Sequence, residues 1–503
     1  MKAHICCIGA DFGASGGKMS VGTFTGERVV IEEIHRFENR PVFLHETFYW
    51  DFLRLFYELK CGISKAAAQY AGGIRSIGID TWGVDFGLLD THGELLSNPV
   101  SYRDKRTQGI LEEVSAILSD QEIFMHSGEC TMEINTIYQL YALRKTRSDS
   151  LNQADKLLMM PDLFTYFLTG EPLSEFSEAV TTQLLDQTST RWSTYLLSKL
   201  GLPEHIFPDI IFPGTRIGTT ISHLNQELGI PALDVVAVGS HDAASAIAGL
   251  PISRTNIKKP WAFIIIGTWS VIGVEVHNAP IITDETYKLG FSNEGNVRNR
   301  FALQKIISGL WLLQECRHAW MKREGRTITW DEISESASEA EGFTNIIDVD
   351  DPIFTSKSLD MLETIAQYYK RTGQPLHLEP GAVARTIYEG LVFKFKQGAL
   401  DIETITGQSP EIVYLTGGGA NNARLCQWIA DALNVVAVTG TPETTAAGNI
   451  LLQLQAAGEI GDVDEGREML SNSYHLTYLT PQQNEATIWN QAFERYIHFL
   501  DHQ

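Results

Sequence analysis

The sequence predicts an α/β protein built from two large domains. Three observations lead there. The chain has 503 residues, and a single hydrophobic core rarely grows beyond about 250–300 residues. Short apolar runs alternate with longer segments of helical period along the whole length, with no low-complexity tract or Gly/Ser-rich linker between them. A strand–turn–strand pattern near the N-terminus recurs half a chain later, which sets a boundary near 250–258 ("LPISRTNIK"). The expected domains are 1–252 and 253–503, with a cleft between them of the kind ligands favour.

The elements follow in order. "HICCIGADFG" is a strand entering a turn, "KMSVGTF" its return strand, and "GERVVIEEIHRF" a third strand after the Gly26 turn. "IRSIGIDTWGVDFGLLD" is a strand ending near Asp80, followed by another extended piece. "AVGSHDAASAI" runs from a strand into an Ala-rich helix that opens at Asp242. "WAFIIIGTWSVIGVEV", residues 261–276, is the second hairpin. "AVARTIYEGLVFKFKQGALDIE" has apolar residues at helical spacing and predicts a long helix. "VYLTGGGANNARLCQ" is a strand, a glycine turn and a helix.

Composition narrows the function classes. Hydrophobic residues make up 44% and charged residues 20%, as in an ordinary globular protein. The net charge of −23 argues against nucleic acid or an anionic membrane as partner. It leaves an anionic small ligand open, because backbone N–H groups and a metal ion can hold phosphate. The six cysteines, Cys6, Cys7, Cys61, Cys130, Cys316 and Cys426, form neither a C-x-x-C pair nor a metal spacing with histidine, and read as reduced thiols. No signal pattern and no apolar stretch of about 20 residues is found, so a cytoplasmic protein is expected.

Five stretches carry possible chemistry. "DFGASGGK" is glycine-rich and ends in a cation, yet it is not a P-loop: the first glycine of G-x-x-x-x-G-K-[ST] would stand at Phe12, and Met19 takes the hydroxyl position. A tight hairpin with Asp11 at its mouth, Ser15 and Lys18 could hold nucleotide phosphates and orient Mg²⁺ through water; equally, its glycines could serve the turn alone. "GTWS" offers a Gly267–Thr268 turn to a phosphate or merely closes a hairpin. "TGGGANN" fails the G-x-G-x-x-G dinucleotide pattern at Asn422, but a flat glycine turn could let adenine or ribose lie on the backbone. Asp242 is either a helix N-terminal acid or a general base for a substrate hydroxyl, with His241 beside it. "DTWGVDFGLLD" sets Asp80, Trp82, Gly83 and Asp85 at a strand end, carboxylates beside an aromatic face suited to a small polyol or sugar, or else to a core and its turn.

Together, and in this order, these pieces resemble the FGGY family of carbohydrate kinases. The resemblance runs through "ADFGASGGK", "SIGIDTWGVDFGLLD", "PVSYRDKRT", "NTIYQL", "TTQLLD", "SHDAASA", "GTWS", "SNEG", "GLWLLQE", "LTGGGANN" and "GNILLQL", nearly the whole chain. It implies two ribonuclease-H-like domains of the actin/hexokinase-type ATPase fold. "TWGVDF" and "YRDKRT" are most similar to the branch that phosphorylates L-rhamnulose. The implied reaction moves the γ-phosphoryl of MgATP to the 1-hydroxyl of that ketose, with L-fuculose as the alternative acceptor and a non-transferring sugar-responsive ATPase as the alternative class. The resemblance gives Asp242 the role of base. Gly83, Trp82, Asp85, His241 and Ala243 fall to the sugar. Ala14, Ser15, Gly16, Gly17, Lys18, Thr268, Gln314 and Gly419 fall to ATP, and Asp11 to the metal. The chain departs from that branch at Ala243, where the branch has Thr, at Lys18 for Arg, and at Ile306 for Asn. The branch's disulfide-associated cysteines have no counterpart here.

Overall fold

The computed structural model describes residues 4–70, 73–355, 360–440 and 443–502. Alternation along the first strand, Ile5–Phe12, decides the packing of the first unit. Cys6, Ile8, Ala10 and Phe12 enter one core cluster, whereas Cys7 enters another on the opposite face. The strand therefore sits in mid-sheet and is covered on both sides. It pairs antiparallel with Gly16–Phe24 and parallel with Ile74–Thr81. The full order is Thr215–Thr219, Asp234–Ala237, Ile74–Thr81, Ile5–Phe12, Gly16–Phe24, Val29–Glu38.

Helix Phe52–Gln69 covers one face. Asp51 caps it by accepting the Arg54 N–H, and Phe52, Leu55, Leu59, Ile63 and Ala66 form its buried stripe. Helix Met160–Thr169 joins it through Leu163, Phe164 and Leu168. Helix Thr444–Ala456 covers the other face, with Ala447, Ile450, Leu451 and Leu454 against Cys7, Phe24 and Val29. Truncating a fully buried anchor such as Leu59 would cost about 2–5 kcal/mol.

A second sheet repeats the order. Trp261–Ile266 pairs antiparallel with Trp269–His277 and parallel with Ile412–Thr416, which pairs parallel with Val436–Thr439. Arg300–Ser308 flanks the hairpin, and Thr477–Leu479 closes the far edge antiparallel. Both sheets thus start from a hairpin whose first strand has parallel partners beyond it, the duplication hinted at in sequence. "WAFIII" is almost wholly buried, as expected of a strand covered on both faces. The long helix spans Pro380–Thr406, starts with Pro at its first position and stops at Gly407, whose φ is 71°.

The compact units are discontinuous in sequence. One comprises Met1–Arg254, Glu275–Leu303 and Glu443–Tyr474; the other comprises Thr255–Val274, Gln304–Pro442 and His475–Gln503. A single cut at 252/253 does not describe them, because the late helix Thr444–Ala456 buries its apolar residues on the first sheet. All six cysteines are free thiols. Among the described residues, no helix is long and apolar enough to cross a membrane.

Candidate active site

In the first unit, strand register gathers the acids. Asp11 lies opposite Lys18 on one neighbour and opposite Asp80 on the other. Lys18 Nζ is 3.2 Å from Asp11 Oδ2 and also pairs with Glu443, the residue before helix Thr444–Ala456. Burial raises the Asp11 carboxyl to about 6, with Lys18 opposing and Asp242 adding to the shift. Asp80 is wholly buried, and its carboxyl is held well above the usual range by burial and by the charge of Asp11. Its Oδ2 accepts from Asn449 Nδ2 at 2.6 Å, while Oδ1 has no partner among the described residues.

Asp242 is the first residue of the seven-residue helix Asp242–Ala248. The preceding backbone is stitched to the strand end, with Thr81 N donating to Ser240 O at 2.8 Å. Behind it crosses helix Thr444–Ala456, and this crossing requires glycine: a Cβ at Gly448 would lie 1.9 Å from Ser245 O. The same helix sends Asn449 to Asp80 and donates Gln453 Nε2 to Ile8 O at 2.8 Å. "GNILLQL" thus fixes the helix that opens at Asp242 and the strand ends together. The Asp242 side chain keeps 41% of its surface and lies 3.6 Å from His241 Nε2. Surrounding protein raises its carboxyl above the usual range, with His241 and then Lys18 opposing.

The first hairpin has a different logic from the one read in sequence. Gly13, Gly16 and Gly17 all have ordinary negative φ. Gly13 N donates to Gly16 O at 2.9 Å, and Asn39 Nδ2 donates to Gly13 O at 2.9 Å, closing the turn. A Cβ at Gly17 would lie 2.1 Å from Phe37 Cζ, so Gly17 is glycine because the Phe37 ring lies across it. Ala14, Ser15 and Gly16 remain on the turn with partial or full exposure.

Asp85 departs from the sugar contact expected of it. It is wholly buried. Its Oδ2 accepts from Trp50 Nε1 at 2.6 Å, Trp82 Nε1 at 3.0 Å and Tyr102 N at 3.1 Å, and Oδ1 accepts from Gln139 Nε2 at 3.2 Å. Four donors saturate the carboxylate, and it acts as a hub beneath the turn. Trp82 is 5% exposed and packs tilted against Trp50, ring centroids 4.3 Å apart, so it shapes the wall from within. Gly83 stays half-buried, and Val84, at φ 72°, donates its N–H to Thr181 Oγ1 at 3.0 Å. Ala243 follows Asp242 in the helix, partly exposed and without a hydroxyl.

The second unit gathers its three expected nucleotide residues. Thr268 Oγ1 accepts from Gln314 Nε2 at 3.1 Å. Gln314 is on helix Trp311–Glu324, which the turn anchors by Leu310 N donating to Gly267 O at 2.8 Å. Gly419 is buried, and a Cβ there would lie 2.2 Å from Ile266 Cγ2, so the glycine turn is pressed onto the hairpin. Gly418, not Gly419, presents the open backbone of that turn. Asn422 caps the following helix by accepting the N–H groups of Arg424 and Leu425. Trp269 beside Thr268 is 60% exposed.

Sequence reasoning set Asp80 with Asp85 beside the sugar, whereas it is wholly buried next to Asp11; it missed Glu443, Glu178 and Glu294. Glu178 is wholly buried with both oxygens unpartnered, and Glu294 faces His241. "SNEG" was the one local signal for Glu294.

Among the described residues, no group of three or more His, Cys, Asp or Glu forms a metal cage. Mg²⁺ bound between a nucleotide and a protein needs no cage, only one or two carboxylates with water and phosphate oxygens. Asp11, partly open, and Asp80, with an unpartnered oxygen, fit that modest donor set.

Residues 6–249 match the FGGY family of carbohydrate kinases, N-terminal domain, and residues 262–457 match its C-terminal domain. The chain is 37% identical over 499 residues to a rhamnulokinase of Bacteroides thetaiotaomicron, covering 99% of both chains. It is 35% identical over 473 residues to one of Oceanobacillus iheyensis, covering 94% of this chain and 97% of the relative. Its fold is similar to a gluconate kinase from Lactobacillus acidophilus (TM-score 0.82, 19% identity, 99% and 98% of the two chains). It is also similar to an ADP-bound glycerol kinase from Plasmodium falciparum (TM-score 0.77, 14% identity, 98% of each chain).

Proposed function

The chain belongs to the FGGY family of carbohydrate kinases, sugar kinases that use ATP with Mg²⁺, and we propose that it phosphorylates the 1-hydroxyl of L-rhamnulose with Asp242 as general base. The observation that carries this reading is the setting of Asp242. It is an open carboxylate at the start of a rigidly backed helix, next to His241 and close to Lys18. The acceptor is suggested by relatives named rhamnulokinase that match 93–100% of this chain.

Asp242 takes the proton of the sugar hydroxyl as its oxygen attacks the γ-phosphorus in line. His241 orients the sugar. Lys18 offers positive charge to the phosphoryl group, the more so when its two carboxylate partners are drawn elsewhere. Thr268, Gln314 and the Gly417–Gly419 turn hold the nucleoside end, and Asp11 with Asp80 would hold Mg²⁺, which screens the phosphate charge when bound. The deciding experiment is a phosphorylation screen across ketoses, with ADP release followed and the product position fixed by NMR. L-rhamnulose 1-phosphate as the preferred product is expected. A strong preference for L-fuculose, or ADP release independent of sugar, would overturn the assignment.

A further inference from the structure

We propose that Glu294 is a positioning residue: it holds the His241 imidazole by Nδ1, so that Nε2 is presented as a donor toward Asp242 and the sugar. This rests on the reading of Asp242 as the base. His241 lies between two carboxylates, with Nδ1 3.7 Å from Glu294 Oε2 and Nε2 3.6 Å from Asp242 Oδ1. Nδ1 and Glu294 Oε2 are both buried, and neither has a hydrogen-bond partner among the described residues. Two buried orphans facing each other satisfy both needs by closing a gap of under about 1 Å, whereas leaving both unmade costs the desolvation of each.

The surroundings make Glu294 rigid. It lies on the wholly buried strand Ser292–Gly295. That strand is clamped against helix Phe176–Val180, since a Cβ at Gly295 would lie 2.7 Å from Ser177 Cα. Ser177 Oγ accepts the His241 backbone N–H at 3.2 Å and donates to Glu175 Oε2 at 2.5 Å. Glu175 Oε2 in turn accepts the Ser240 N–H at 3.2 Å. Backbone and ring of His241 are therefore held by one block.

Charge supports the same arrangement. Burial opposes charging of His241, but Glu294, then Asp242 and Glu175, outweigh it and raise the imidazole to about 9. A charged imidazole donates from both nitrogens. Behind Glu294, burial and the Glu294 charge hold Glu129 well above the usual carboxyl range. Around Asp242, His241 and Lys18 favour the carboxylate, whereas Glu294 opposes it. Asp11 adds like charge nearby, whereas burial holds the Asp80 and Glu178 carboxyls well above the usual range. Holding His241 charged at Nε2 keeps the base ionised within this crowd.

The test begins without substrate, by NMR titration of ¹³C/¹⁵N-histidine-labelled full-length protein, with the His241 signal assigned from its loss in His241→Gln. The wild-type midpoint should lie well above the ordinary value of about 6.5. Glu294→Gln should lower it by about 1–2 units, while Glu294→Asp should keep it raised. Glu129→Gln replaces a protonated acid by a neutral amide and should move it by less than about 0.5 unit. In steady-state assays, Glu294→Gln should raise the ketose KM roughly tenfold and narrow the pH range of kcat, leaving the ATP KM unchanged. A wild-type midpoint at or below the ordinary value overturns the inference even if Glu294→Gln does not fold. So does an unchanged midpoint in Glu294→Gln, or a drop in Glu129→Gln equal to that in Glu294→Gln. Should no ketose be phosphorylated, the acceptor assignment fails, and the histidine titration still decides the role of Glu294.

Discussion

Gly17→Ala separates a glycine kept for packing from one kept for phosphate. In the first sheet Gly17 lies opposite Phe12 on one neighbouring strand and opposite Phe37 on the other. The two rings approach to 5.3 Å. An added Cβ would meet Phe37 Cζ at 2.1 Å and both Cε atoms at 2.7 Å, so the ring must give way. Overpacking of this kind costs about 1–3 kcal/mol. The new methyl points at the Phe37 ring, so the ATP KM should change less than about threefold, below about 1 kcal/mol. Urea unfolding and steady-state kinetics on wild type, Gly17→Ala, Phe37→Leu and the double variant form a cycle. The double variant should recover about 1 kcal/mol relative to additivity, because the smaller side chain makes room. A roughly tenfold rise in ATP KM with unchanged stability, whether or not Phe37→Leu is also present, would refute the packing explanation and return Gly17 to the phosphate.

Three further outcomes are expected. Glu275 is 1% exposed at its side chain and accepts from Arg467 at 2.8 Å and 3.0 Å, from Arg300 at 2.8 Å and from Asn296 at 2.9 Å, while Arg467 is wholly buried. Glu275→Gln removes the buried charge facing both guanidiniums, which keep Asp464 as their other acid partner, and should destabilise the first unit by about 3 kcal/mol in denaturant unfolding. Burial opposes ionisation of Glu275, but Arg467, His277 and Arg300 hold its carboxyl well below the usual range. Its contribution is therefore present above the ordinary carboxylate pKa and lost as pH falls, and the Gln variant should lose that part of the acid sensitivity. Thr268→Val removes the hydroxyl that pairs with Gln314; calorimetry should show ADP binding weakened roughly threefold to tenfold, with the ketose KM unchanged. Asp11 is raised to about 6, so the Mg²⁺ requirement should steepen as pH falls through that value. Asp11→Asn should abolish that pH dependence, and an unchanged profile in the variant would remove Asp11 from the metal.

Much of the fold was legible because hydrophobic period and glycine turns are local signals. The hairpins at 5–24 and 261–277, the helix opening at Asp242 and the long helix over 380–406 all follow from short runs of neighbouring residues. The discontinuous units were not legible, since the apolar face of Thr444–Ala456 finds its sheet at the opposite end of the chain. The site divided the same way. Asp11, Lys18, Asp242, Thr268 and Gln314 occupy strand ends and helix starts that patterning can locate. Asp85 looked like a ligand residue until its four donors, from Trp50, Trp82, Tyr102 and Gln139, were seen to saturate it. The roles of Glu294, marked only by "SNEG", and of Glu443 escaped notice for the opposite reason. Their partners, His241 and Lys18, are brought to them only by tertiary packing.

The proposed role of Asp242 as base is tested most directly by Asp242→Asn, an isosteric change at a partly open position that should leave folding intact. With saturating ketose and MgATP, kcat should fall about 10²–10⁴-fold, while calorimetric binding of sugar and of ADP stays within a few-fold of wild type. A turnover close to wild type in that variant would contradict the account at its centre.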